Sequence, residues 1–219
     1  MKAMILAAGR GERMRPLTDT LPKPLLEVKG KPLIVWHIER LALSGFSEII
    51  INLGHLGFKI KDFLGDGSRF GIKITYSDEQ KSGVLESAGG IKKALPLLGD
   101  EPFLLVNGDV FTNYEFDSSF TLKGKLAHLI LVPNPPHNAS GDFALNASDV
   151  QNSEKEMFTF SGIAYYDPLF FKDVSLVKSP LAPFLRQAIE KHKISGEVFN
   201  NVWHDIGTQE RLKEINDEN

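Results

Sequence analysis

Met4-Ile5-Leu6-Ala7-Ala8 runs directly into Gly9-Arg10-Gly11-Glu12-Arg13-Met14-Arg15-Pro16-Leu17-Thr18, and Pro22-Lys23-Pro24 follows shortly after. The apolar run has the length and position of a buried first strand. Gly9 and Gly11 then let the backbone turn sharply and bring its N–H groups close to an anion with no Cβ in the way. Arg13, Arg15 and Lys23 place positive charge beside that turn. A guanidinium grips phosphate oxygens as a bidentate fork, whereas the Lys23 ammonium is a point charge suited to an oxygen whose negative charge grows during a reaction. Pro22 and Pro24 remove backbone freedom on either side, so the lysine is expected on a stiff extended segment. The whole passage reads as a phosphate site at the end of a buried strand.

Two familiar glycine patterns are excluded. A dinucleotide fingerprint has a third glycine three residues after the second, where this chain has Met14, and the Gly-Lys-Ser/Thr of a Walker A loop occurs nowhere. Outward from the turn, apolar strand-like runs alternate with helix-like segments: helix over 32–43, strand 48–52, helix 56–64, strand 72–76, helix 90–98 and strand 103–106. That alternation predicts an α/β protein with a parallel sheet and crossover helices. Ligands in such sheets bind at the carboxyl ends of the strands, and both the Gly9/Gly11 turn and Asp109 fall there. The second half reads as strands over 127–132, 142–145 and 158–166, helices over 181–192 and 209–215, and polar loops over 134–138 and 146–156.

A chain of 219 residues suits one domain, and 42% hydrophobic with 24% charged residues is an ordinary globular composition. A net charge of -3 gives no general attraction to nucleic acid or an anionic membrane, so phosphate chemistry must rest on local cations and a small ligand. With no cysteine, disulfides, thiolate metal sites and a cysteine nucleophile are all excluded. The first apolar run is too short for a signal segment and nothing approaches transmembrane length, so the chain reads as cytoplasmic. The six histidines show no zinc-ligand spacing, and a Gly-x-Ser-x-Gly elbow is missing.

Two carboxylates stand at strand ends: Asp109 after Phe103-Leu104-Leu105-Val106-Asn107-Gly108, and Asp205 after Val202-Trp203-His204. With phosphate oxygens and water they make a suitable oxygen set for Mg²⁺. Thr208 is the better cap for the last helix, which leaves Asp205 for chemistry. Between them, Leu85-Glu86-Ser87-Ala88-Gly89-Gly90-Ile91 is small enough for a base or ribose to lie against the backbone, with Glu79 placed to accept from a base N–H.

Leu6-Ala7-Ala8-Gly9-x-Gly11-x-Arg13, Pro16-Leu17-Thr18, Pro22-Lys23-Pro24-Leu25-Leu26 and Gly30-Lys31-Pro32-Leu33-Ile34 resemble the signature of sugar-1-phosphate nucleotidyltransferases. The likeness extends through Asn107-Gly108-Asp109 and Asp205-Ile206-Gly207-Thr208. Within the family it looks most like the small N-acetylmuramate 1-phosphate uridylyltransferases of peptidoglycan recycling, on Gly65 to Gly71, Leu85 to Ile91, Gly141-Asp142-Phe143 and Phe160-Ser161-Gly162-Ile163. It departs from that subgroup in Ser87-Ala88, where relatives tend to have Thr-Gly, and in a slightly longer Lys81-Ser82-Gly83 stretch. The resemblance implies a single domain over 1–219, a three-layer nucleotide-binding (Rossmann-like) α/β fold with a mixed, mostly parallel central sheet. It implies a Mg²⁺-dependent reaction of UTP with a sugar 1-phosphate. It assigns Arg13, Lys23 and Asp109 to catalysis, and Ala8, Gly9, Gly11, Glu12, Arg13, Lys23, Glu79 and Gly90 to the nucleotide. Asn107 and Asp142 would contact the sugar, and Asp109 and Asp205 the metal. Nucleic acid and membrane are not expected as partners, and the oligomeric state stays open and compatible with a monomer. Other pairs, such as glucose 1-phosphate with dTTP or mannose 1-phosphate with GTP, and a non-catalytic sugar-nucleotide-sensing subunit, are the alternatives.

Overall fold

The computed structural model describes residues 1–79 and 85–218, so the Lys81-Ser82-Gly83 stretch lies outside the described residues. The chain opens with β1 (Lys2–Leu6), followed after the glycine turn by a short α1 (Leu17–Thr20), the paired β2 (Glu27–Val28) and β3 (Lys31–Pro32), and α2 (Leu33–Leu43). Then come β4 (Glu48–Leu53), α3 (Gly57–Leu64), β5 (Lys73–Asp78), α4 (Glu86–Leu98), β6 (Phe103–Asn107) and β7 (Val110–Thr112). The second half holds β8 (Ala127–Val132), β9 (Ala144–Asn146), β10 (Asp149–Gln151), β11 (Thr159–Tyr166), α5 (Ala182–Glu190), β12 (Ile194–Val198), β13 (Trp203–Asp205) and α6 (Gln209–Asp217).

Nine strands form one sheet in the order β5-β4-β1-β6-β11-β8-β12-β10-β9, while β13 pairs with β7 apart from it. β5, β4, β1 and β6 are mutually parallel, β12 is parallel to β8, and β11 and β10 run against their neighbours. The sheet is therefore mixed and mostly parallel, as expected. Alternation along β1 explains the layers: Ala3 and Ile5 face a core built with Ile34, Ile38 and Leu41 of α2 and Ile60 of α3. Met4 faces the opposite core, with Ile91 and Leu98 of α4 and Leu185 and Ile189 of α5. All three β1 residues are fully buried, as expected of a parallel strand covered on both faces. Among the described residues no helix is long and apolar enough to cross a membrane.

Three local expectations are corrected. The stretch 146–156 holds β10, which pairs with β9 and β12 around a fully buried Val150; three residues are too few to show periodicity. The helix expected from residue 90 begins at Glu86, because the Ser179 carbonyl accepts from Ala88 N and Gly89 N and so serves its first turn from a distant segment. Lys23 does not lie on an extended segment. It opens a 3₁₀ turn, Lys23–Leu25, closed by Leu26 N donating to Lys23 O at 3.0 Å, with Pro24 in the position where a missing N–H is harmless.

His37 of α2 is 1% exposed and neither ring nitrogen has a hydrogen-bond partner among the described residues. Burial lowers its pKa to about 4, with the Arg40 charge acting the same way and the Val110 backbone and Asp109 charge opposing. An unfolded chain takes up this proton near pH 6.5 and the folded one only near 4, so stability falls as pH drops through that window. Urea unfolding at pH 7 and pH 5 is expected to show a smaller acid loss in His37→Leu than in the parent; equal losses contradict this.

Candidate functional site

The glycine turn is held from below. Gly11 has φ +63°, and a Cβ there would stand 2.8 Å from Thr18 Cγ2 and 3.3 Å from Lys23 Cβ, so a side chain is refused both by conformation and by space. Thr18, 1% exposed, donates from Oγ1 to Gly11 O at 2.8 Å. Met14 N donates to Gly11 O at 2.8 Å, closing a 3₁₀ turn over Glu12–Met14. The Met14 side chain then anchors the turn in a small apolar cluster with Leu26, Val28, Leu33, Ile206 and Ile215. Arg10 and Arg13 remain exposed beside the turn, with no ion-pair partner among the described residues.

A buried polar chain forms the inner end of the site. Ala7 N donates to Asn52 Oδ1 at 2.7 Å, and Asn52 Nδ2 donates to Glu79 Oε1 at 2.7 Å. Leu85 N reaches Glu79 Oε2 at 3.4 Å. Burial raises the Glu79 pKa, and the hydrogen bonds from Asn52 and Leu85 pull it back. Gly90 packs directly on this carboxylate: a Cβ there would be 2.6 Å from Glu79 Oε1. Both Glu79 oxygens already take protein donors, so the group ties β4 to the start of α4 beside the glycine turn.

At the other end Lys23 Nζ donates to Asp109 Oδ2 at 2.7 Å, with the lysine side chain 11% exposed and the aspartate 36%. Asp205 follows on the neighbouring strand: β13 pairs with β7 so that Asp205 lies opposite Val110, and Ile206 N donates to Asp109 O at 2.8 Å. Asp205 Oδ2 accepts from Arg211 Nη1 at 2.9 Å and lies 3.4 Å from His137 Nε2. Asp205 Oδ1 is buried without a partner among the described residues. A buried carboxylate oxygen with no donor, next to a second carboxylate on the adjoining strand, is a donor set suited to a hard divalent cation completed by phosphate oxygens and water. Protein ligands alone do not complete it, because no group of three or more His, Asp or Glu among the described residues is arranged to hold a metal.

These parts surround one cavity of about 750 Å³, lined by Leu6 to Arg13, Lys23, Pro24, Asn52, Glu79, Glu86, Ser87, Asn107 to Asp109, Lys178 and Gly207. Of the residues singled out from the sequence, Ala8, Gly9, Gly11, Glu12, Arg13, Lys23, Glu79, Asn107 and Asp109 meet on its wall. Gly90 lies behind Glu79. Asp205 stands behind Gly207, with both its Oδ1 and Arg211 close to the space a Cβ on Gly207 would take. Asp142 is off the wall, and its Oδ2 accepts from Phe160 N at 2.8 Å. Sequence reasoning missed Asn52, Arg211 and the Lys178–Glu86 ion pair at 3.1 Å, and quoted Thr18 without its hydrogen bond to Gly11. Asn52 had a signal, a single amide closing the run Ile49-Ile50-Ile51; the others are assembled only by the fold.

A family model described as nucleotidyl transferase matches residues 2–143. The N-acetylmuramate alpha-1-phosphate uridylyltransferase of Neisseria meningitidis is 52% identical, over 98% of this chain and 96% of that protein. The UTP–glucose-1-phosphate uridylyltransferase of Synechocystis is 38% identical over 59% of this chain, a match that spans 37% of that longer protein. A crystal structure from Bacillus anthracis, assigned as a glucose-1-phosphate thymidylyltransferase, superposes with a TM-score of 0.86 over 100% of this chain and 96% of that one at 23% identity, which speaks for the fold alone. With the glycine turn, Lys23 and Asp109 at one edge of the main sheet and Asp205 on the β13–β7 pair beside them, the chain belongs to the nucleotidyl transferase family.

Proposed function

We propose that the chain is a Mg²⁺-dependent uridylyltransferase that joins UTP and N-acetylmuramate 1-phosphate to give UDP-N-acetylmuramate and pyrophosphate, acting in the cytoplasm in peptidoglycan recycling. The 52% identity to the Neisseria uridylyltransferase over nearly the full length of both chains carries this reading. The main sheet draws strands from both halves of the chain, which supports reading 1–219 as one domain.

In the proposed reaction a phosphate oxygen of the sugar 1-phosphate attacks the α-phosphorus of UTP in line with the departing pyrophosphate. One O–P bond forms and one breaks. The nucleophile is already ionised, so no general base is required. The protein's tasks are to align two anions and to neutralise growing charge. The backbone N–H groups of the glycine turn, with Glu12 and Arg13, would cradle the triphosphate. Lys23 holds Asp109 with one of its three ammonium hydrogens, which leaves donors for the phosphates at the reacting centre. Asp109 and Asp205 would hold Mg²⁺, which when bound screens the repulsion between nucleophile and nucleotide phosphates. Ser87 and Glu79 would border the base, and Asn107 the sugar, with Asp142 shaping the sugar side through the Phe160 backbone.

The direct test is pyrophosphate release from four NTPs against a panel of sugar 1-phosphates. UTP with N-acetylmuramate 1-phosphate should be the fastest pair. A preference for glucose 1-phosphate with dTTP or mannose 1-phosphate with GTP reassigns the pair, and no release from any pair points to a sensing subunit. Lys23→Ala and Asp109→Asn should each lower kcat roughly 100-fold or more with near-parental far-UV spectra, and near-normal release by either variant contradicts the assignment. Chelation should stop turnover and added Mg²⁺ restore it, and Asp205→Asn should raise the Mg²⁺ concentration for half-maximal rate roughly 10-fold or more, in line with losing one of two charged oxygen ligands. An unchanged Mg²⁺ requirement removes Asp205 from the metal.

A further inference from the structure

Arg211 is the third residue of α6, and side chains in a helix lean toward its N-terminus. Its guanidinium therefore reaches back across Gly207 toward Asp205. A Cβ on Gly207 would overlap Arg211 Nη2 and lie 3.0 Å from Cζ and 2.9 Å from Asp205 Oδ1, so the bare glycine, itself on the cavity wall, leaves room for the guanidinium directly behind it. Nη1 is fixed twice, donating to Asp205 Oδ2 at 2.9 Å and to His137 Nε2 at 2.8 Å. Among the described residues, Nη2 and Nε have no protein acceptor. The side chain is 18% exposed, unlike a free surface arginine.

An arginine anchored through one nitrogen keeps the Nη2–Nε edge, whose parallel N–H bonds match the two oxygens of a carboxylate. Near this end of the cavity the other titratable groups are Asp109, Lys23, Asp205 and His137, and Lys23 is already on Asp109. With Asp109 and Asp205 given to the metal and Lys23 to Asp109 and the phosphates, the free edge of Arg211 is the donor pair left at this end for an acidic substituent on the sugar. N-acetylmuramate carries such a substituent, its lactyl carboxylate.

We propose that the free Nη2–Nε edge of Arg211 binds a carboxylate carried on the sugar, making Arg211 the specificity-determining residue for an acidic sugar 1-phosphate; this rests on the nucleotidyltransferase reading of the site given above. Asp205 and His137 hold the guanidinium in place, and the missing Cβ of the cavity-lining Gly207 is what would let a sugar substituent reach it.

The test is calorimetric binding, in the presence of Mg²⁺, of N-acetylmuramate 1-phosphate and of N-acetylglucosamine 1-phosphate, which lacks the lactyl group, to the parent, Arg211→Met and Arg211→Lys. Arg211 also steadies Asp205, so both affinities can fall together in the variants, and the ratio of the two reads the carboxylate alone. The parent should favour the acidic sugar by roughly 10- to 100-fold, the range of one charge-assisted hydrogen-bonded contact. In Arg211→Met the ratio should collapse to about one, with Arg211→Lys between, since an ammonium keeps charge without the fork. A parent ratio of one, or a ratio unchanged in Arg211→Met, overturns the proposal. If the parent turns over N-acetylmuramate 1-phosphate with UTP while the ratio is unchanged in Arg211→Met, only the Arg211 assignment falls. If the parent does not turn it over, the reading of the site falls and Arg211 with it.

Discussion

Parallel pairing of β1 on both its edges is the constraint on which the site depends. Leu6 stands in register with Asn52 of β4 on one side and Asn107 of β6 on the other. That registration brings the glycine turn, the Asn52 amide and the Asn107-Gly108-Asp109 passage to one sheet edge. Gly108 N donates to Leu6 O at 2.9 Å and Ala7 N to Asn52 Oδ1 at 2.7 Å, so the first residues beyond β1 are tied to both neighbours before the turn begins. A one-residue slip of β1 would exchange Met4 with Ala3 and Ile5 between two filled cores and move every one of these contacts. Burial on both faces is what makes such a slip costly.

Binding a triphosphate requires positive charge and exposed N–H groups, both of which destabilise a turn unless something else fixes it. Here two uncharged devices do so. The Thr18 hydroxyl holds Gly11, and Met14 joins Ile206 and Ile215 beneath the turn. The second device has a further effect, because Ile206 directly follows Asp205; one small apolar cluster thus sets the spacing between the phosphate turn and the second carboxylate. The Lys23–Asp109 pair spans the same gap in polar form. A partly exposed ion pair contributes little to stability, and its significance is positional: it keeps an ammonium and a carboxylate together at the point where phosphate charge would change.

Much of this was legible in the sequence, for identifiable reasons. The buried strand, the glycine turn and Asp109 could be read because continuous apolar runs end directly in residue types with a narrow set of uses. Glu79 could be singled out, but its hydrogen bonds to Asn52 and Leu85 could not, since they depend on strand register. The Lys23 turn was misread because two prolines restrict φ without fixing ψ, and a 3₁₀ turn satisfies them as well as an extended segment does. The start of α4 was misread because N–H groups of its first turn are served by the carbonyl of Ser179, a distant segment of the chain. Arg211 carried no sequence signal as a site residue. Its significance comes from the missing Cβ of Gly207 and from the anchoring by Asp205 and His137, which exist only once α6 and β13 are folded.

The central claim is that the α-phosphoryl group of a nucleotide is transferred to a sugar phosphate at the β1 edge. Following ³²P from UTP labelled at the α-phosphorus, with N-acetylmuramate 1-phosphate and Mg²⁺, measures that event without a coupling enzyme. The label is expected to appear in UDP-N-acetylmuramate in step with release of unlabelled pyrophosphate. Label recovered only in UTP, UDP or UMP would contradict the account.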